Sequence, residues 1–120
     1  MIEAIQNLPD NVLAIEASGK VTGDDYEQVI IPAIETKLKQ FDKISFLYYL
    51  GPDFDSFEGE ALWDDAKTGL KHMTHLEKIA IVTDVDWIAR ATKTFGFMMP
   101  CEVKIYTNAQ LAEAKTWVSQ

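Results

Sequence analysis

The sequence has one cysteine, Cys101, so no disulfide can form within the chain. That composition fits a reducing compartment. No apolar run approaches the roughly 18 residues that a membrane-spanning helix needs. The longest uncharged apolar stretch, Phe46-Leu-Tyr-Tyr-Leu50, has the length of a strand. Residues 1–9 carry Glu3 and no basic segment followed by an apolar leader, so no signal peptide is read there. The expectation is a cytoplasmic protein that is not integral to a membrane.

Positive charge is also scarce. There are 11 Lys and Arg against 19 Asp and Glu, a net charge of −8. Nucleic acid is excluded as a partner, because its affinity rests mostly on neutralised phosphates. Simple adhesion to anionic lipid is excluded for the same electrostatic reason. Catalytic signatures are missing too: no Gly-x-Ser-x-Gly, no Walker loop and no Gly-x-Gly-x-x-Gly occurs. Asp24-Asp25 and Asp64-Asp65 are carboxylate pairs, but adjacent helical residues diverge by about 100° and cannot share a proton. The sequence therefore offers no catalytic constellation and implies no cofactor.

What is present is an ordinary globular composition, with 48 % apolar and 25 % charged residues in 120 positions. That is enough for one domain, residues 1–120, with its own core. Apolar runs over 2–8 and 12–18, joined by Pro9-Asp10-Asn11, predict a hairpin. Thr22-Gly-Asp-Asp25 has the spacing of a capping box and opens a first helix over about 24–40. Its apolar face is Tyr26, Val29, Ile30, Ala33, Ile34 and Phe41, with Pro32 placed to bend it. A strand over 43–50 is expected to break at Gly51-Pro-Asp53, before a second helix from about Ser56 to Met73. A short strand follows at 78–83. Asp84 or Thr83 caps a third helix over 86–95, with Ile88, Ala91, Thr92 and Phe95 facing inward. The last strand is 102–106, and Thr107 or Asn108 caps a final helix ending at Val118.

Strands that alternate with helices predict a mostly parallel sheet with right-handed crossovers. Val103 and Ile105 alternate with Lys104 and Tyr106, whereas strands covered on both faces read as continuous apolar runs. The expectation is an α/β domain: about five strands, four helices mainly on one face, and an open second face carrying Glu16, Lys104 and Tyr106.

Several segments resemble one family in their order along the chain. They are Gly19-Lys-Val-Thr-Gly-Asp-Asp-Tyr26, Ala61-Leu-Trp-Asp-Asp-Ala-Lys67, Lys71-His72, Ile79-Ala-Ile-Val-Thr-Asp84 with Trp87, and Ala112-Glu-Ala-Lys-Thr-Trp117. Together the chain is similar to STAS-like domains related to anti-sigma-factor antagonists, in the bacterial branch also compared with CRAL-TRIO lipid-transfer domains. The resemblance implies a right-handed β/α superhelix with helices on one side of the sheet, and neither established catalysis nor a cofactor. Antagonists of this kind carry an Asp-Ser-Ser-Gly-like phosphorylation element at the start of the second helix. Here the stretch is Asp55-Ser56-Phe57-Glu58-Gly59. Ser56 is thus a weak phosphosite candidate, crowded by acidic neighbours, and reads first as a helix cap.

Other candidates come from the residues themselves. Trp63 and Lys67 are four apart, a spacing that allows a cation–π contact on a ligand rim or on a solvated helix edge. Asp65 and His72 share a flank, and His72 with His75 lacks a well-spaced third ligand for a metal. Asp84 lies just beyond a strand carboxyl end, where open α/β sheets bind ligands, and also suits a cap. Trp87 points off the third helix's inner side and is an interface candidate. Phe97, Met98 and Met99 make an apolar loop that suits a lipid tail, a partner, a second subunit or the chain's own core. Two functions are expected from these features. One is a non-enzymatic module engaging a protein partner or its own copy as a homodimer. The other is a carrier of a small hydrophobic, lipid-like ligand.

Overall fold

The computed structural model describes residues 1–59, 73–97 and 100–120. Five strands form one sheet in the order β1-β2-β3-β4-β5. Strand β1 (Ile2–Ala4) runs antiparallel to β2 (Val12–Val21). Strands β3 (Ile44–Phe57), β4 (Leu76–Thr83) and β5 (Glu102–Tyr106) add in parallel, each beside the last. The mostly parallel α/β sheet matches the sequence reading.

Helix α1 follows Thr22 in three continuous stretches: Gly23–Asp25 is α-helical, Tyr26–Ile30 is π-helical and Ile31–Leu38 is α-helical. Its capping box is formed. Thr22 N–H donates to Asp25 Oδ2 at 2.9 Å, and Asp25 N–H donates to Thr22 Oγ1 at 3.2 Å. Pro32 falls directly after the π-helical stretch, inside the continuous helix, where it removes one backbone hydrogen bond. The wider π turn also rotates the face, so Tyr26, Ile30 and Ile34 are buried while Val29 is exposed. Helix α2 is Asp86–Gly96 and helix α3 is Leu111–Val118, the latter entered by a 3₁₀ turn at Asn108–Gln110.

The sheet carries two cores. On one face Leu13, Ile15, Ala17, Phe46, Tyr48 and Leu50 pack against Tyr26, Ile30 and Ile34 of α1 and Ile88 of α2. Each crossover steps one strand further in the same direction, so right-handed connections put α1 and α2 on the same side. On the other face Val12, Ala14, Leu47, Ala80 and Val82 pack against Ala114, Trp117 and Val118 of α3. This corrects the expected open face. Among the described residues α3 does not connect two strands of the sheet, so no crossover rule holds it to the first side, and it covers the second. Lys104 and Tyr106 do lie on that face, but around Trp117. The Lys104 and Lys78 ammonium groups stand 4.9 and 5.5 Å from the Trp117 ring centroid, and the Tyr106 ring is 6.4 Å away. Lys78 also donates to the Trp117 carbonyl at 3.2 Å, near the end of the helix.

Several boundaries differ from expectation. Strand β1 stops at Ala4, and Asn7 takes φ +69°, a left-handed conformation that ends pairing and that Asn tolerates. Strand β3 does not break at Gly51. It runs on to Phe57, paired with β2 alone, because its pairing with β4 ends at Leu50–Thr83. Pro52 is tolerated where one side of the strand is unpaired; the register shifts bulge β3, whose stretch from Leu50 to Ser56 spans only Ala17 to Lys20 on β2, where Gly19 takes φ +61°. Ser56 therefore sits in a strand, not at a helix start, and the cap reading fails. The remainder of the expected second helix, from residue 60 to 72, lies outside the described residues.

Candidate functional site

Two surfaces meet at the carboxyl end of the parallel strands. The first is aromatic. Phe46, Tyr48, Phe57 and Trp87 form successive edge-to-face contacts, with centroid separations of 5.7, 6.3 and 6.3 Å, and Phe54 lies 5.1 Å from Phe57. The series starts in the core and ends at Trp87, which is 50 % exposed in the first turn of α2. Because β3 continues through Phe57, it delivers the ring that backs Trp87. Deeper in, the Tyr26 and Tyr48 hydroxyls are 3.1 Å apart and hydrogen-bonded, which satisfies polar groups that would be costly to bury alone.

The second surface is polar. Asp84 does not cap α2. Its carboxylate accepts the Asn108 N–H at 2.9 Å and ties the β4 exit to the turn that enters α3. Thr83 Oγ1 instead accepts the Val85 N–H at 3.0 Å. Gln110 Oε1 accepts the Thr107 N–H at 3.0 Å, the reciprocal contact expected if Thr107 starts the final helix. Asn108 Oδ1 is buried with no partner among the described residues.

Charge is not spread evenly over the molecule. The carboxyl ends of β2, β3 and β4 and the segments that follow them carry Asp24, Asp25 and Glu27, then Asp53, Asp55 and Glu58, then Asp84 and Asp86. Among the described residues Lys20 is the basic side chain at the end of those strands. The opposite edge mixes Lys37, Lys39, Lys43 and Lys78 with Glu35, Asp42 and Glu77. Among the described residues, acidic side chains therefore gather toward the carboxyl end of the parallel strands.

The structure thus brings together Trp87, Phe57 and Phe54, and separately joins Asp84 to Asn108. It places Phe97, 92 % exposed, just past the far end of α2, about 15 Å of helix rise from Trp87. Trp63, Lys67, Met98 and Met99 lie outside the described residues, as do Asp65 and His72. The Ser56 hydroxyl faces its neighbour Asp55 Oδ2 at 3.5 Å. His75 Nδ1 stands 3.3 Å from the Asp42 carbonyl, away from any acidic cluster. Among the described residues no group of three His, Cys, Asp or Glu could hold a metal ion, and no helix is long and apolar enough to cross a membrane. On α2, Ile88 is buried and Thr92 half-buried as expected, but Ala91 is exposed and Ala89 takes its place. Phe95's side chain lies outside what is described.

Among the described residues two titrating groups are perturbed. Burial pushes the Cys101 thiol up. Burial, and then the Glu113 carboxylate, push the Tyr106 phenol up. Both groups hold their protons more tightly when folded, so folding stability is full below their unfolded-state pKa values and falls as pH rises past them. Stability should decline above about pH 9, and Tyr106→Phe should flatten the part of the decline above about pH 10. Urea melts from pH 8 to 11 measure this; identical slopes for both proteins would contradict it.

A model of the SpoIIAA-like family matches residues 12–119. A solved structure with 30 % identity, from Shewanella loihica PV-4, superimposes with a TM-score of 0.77 over 98 % of this chain and 92 % of its own. It is described as an uncharacterised protein of the DUF3478 family with a SpoIIAA-like fold. No curated protein matches the chain. These domains are regulatory or binding modules, generally non-enzymatic, and they typically interact with proteins. The chain belongs to the SpoIIAA-like family.

Proposed function

We propose that this SpoIIAA-like chain is a non-catalytic binding module whose carboxyl edge engages a basic patch on a protein partner. The observation that carries this reading is Trp87. It is half-exposed, held from behind by Phe57, and flanked in sequence by Asp84 and Asp86. A supported aromatic anchor beside acidic residues has the composition of an energetic hot spot with a polar rim. The adjacent Asp84 and Asp86 favour Lys and Arg opposite, and the net charge of −8 disfavours a second copy of the chain.

The test is capture by the immobilised full chain from cell extract, at low and at raised ionic strength. The Debye length shrinks from about 30 Å at 0.01 M salt to about 10 Å at 0.1 M. Retention of the partner should therefore fall several-fold, and soluble polylysine should compete. Salt-independent retention, or a stable homodimer that covers Trp87 in sedimentation, would contradict the reading. A lipid co-purifying in native mass spectrometry would favour the carrier function instead.

A further inference from the structure

A groove of about 600 Å³ runs between α2 and β5, floored by Val103 and Ile105 and walled by Ala89, Thr92 and Gly96. We propose that it receives an extended acidic segment of a protein partner, added to the sheet beside β5. This surface is distinct from the Trp87 edge and does not rest on it.

Three observations converge. First, β5 ends the sheet on that side among the described residues, so alternate backbone N–H and C=O groups point outward without a strand to pair them. Adding a strand to such an edge is a common mode of peptide capture, with main-chain bonds giving affinity and side-chain pockets giving selectivity. Second, α2 presents small residues to β5. A Cβ at Gly96 would stand 3.3 Å from Val103 Cβ, so the helix rests close on the strand there. With only Ala89 and Thr92 further along, space remains beside Val103 and Ile105 for a visiting apolar side chain.

Third, the rim is cationic in a protein that is otherwise acidic. Arg90, the sole arginine of the sequence, and Lys93 both line the groove. Both are exposed, and neither forms an ion pair with a carboxylate among the described residues. A guanidinium presents a planar fork of donors that matches a carboxylate. The matching segment is extended, with an apolar residue against Val103 and Ile105 and Asp or Glu beside it to reach Arg90 and Lys93.

A second copy of this chain fits less well. Pairing β5 with β5 about a two-fold axis would bring Arg90 and Lys93 of both copies to one seam, where like charges repel.

The experiment selects random peptides displayed on phage against the intact immobilised chain, then measures the recovered peptides by fluorescence polarisation. Recovered sequences should alternate apolar with acidic residues. The double variant Arg90→Glu, Lys93→Glu should weaken them about tenfold or more without moving its thermal midpoint. Amide exchange at residues 102–106 should slow in the complex. Trp87→Ala should leave peptide affinity unchanged, which separates failure of this inference from failure of the Trp87 edge. The proposal is overturned by neutral or basic peptides, by no recovered peptide, by affinity indifferent to charge reversal, or by a dimer that already protects β5.

Discussion

Replacing Trp117 by alanine is expected to cost about 3–5 kcal/mol of folding stability, a fall of roughly 10–20 °C in the thermal midpoint for a domain of this size. Trp117 is 9 % exposed and, with Ala114 and Val118, is what α3 lays over Val12, Ala14, Leu47, Ala80 and Val82. Its removal leaves a cavity over the centre of the second sheet face. It also strips the ring from beneath Lys78 and Lys104, each contact being worth about 0.5–1 kcal/mol where partly exposed. Lys104→Ala should therefore cost about 1 kcal/mol or less, and the ring's burial should account for most of the Trp117 effect. Chemical denaturation of the three proteins checks this. A loss under about 1 kcal/mol for Trp117→Ala would mean that α3 contributes little to the second core.

Trp87→Ala should show the opposite balance. Half of the residue is in solvent and its aromatic support is the edge-to-face pair with Phe57, so stability should fall by about 1.5 kcal/mol or less. Partner affinity should fall by about 2 kcal/mol or more, roughly thirtyfold, as for other aromatic anchors truncated within an interface. Phe57→Ala should lose both stability and affinity, because Phe57 packs between Tyr48 and Trp87 and supports the anchor from the core. Calorimetric titration of the captured partner, with thermal melts of each variant, separates the two effects. Unchanged affinity in Trp87→Ala would remove the carboxyl edge from consideration.

Much of the architecture was legible because it follows from local patterns. Thr22-Gly-Asp-Asp25 announced the start of α1, and the Val103/Ile105 alternation located β5. The run Ile79-Ala-Ile-Val82 marked a strand, though pairing with Ile44 extended it back to Leu76. Other features depend on distant partners. Gly51-Pro52 reads as a breaker, yet β2 keeps that segment extended, and the extra residues bulge out of β3 opposite Gly19. That extension moved Ser56 from a helix start into a strand and brought Phe57 against Trp87. The Ala89, Thr92 and Gly96 spacing on α2 is visible in the sequence, but small residues alone do not show that Arg90 and Lys93 stand over an unpaired strand.

The concentration of acid at one end was half visible. Acidic residues cluster at chain positions that follow strands, and acidic helix starts complement the helix dipole. Only the parallel arrangement makes those separate turns neighbours at one edge.

The sequence by itself determined the class of the fold, the element order, the caps and the acidity, since each depends on residues close together in the chain. Tertiary structure alone decided that α3 covers the second face, that β3 runs to Phe57, and that Trp87 stands on an aromatic support. It also decided that the sole arginine looks over a sheet edge. These are contacts between residues tens of positions apart, and their geometry follows from crossover handedness, strand register and packing, which no local pattern encodes.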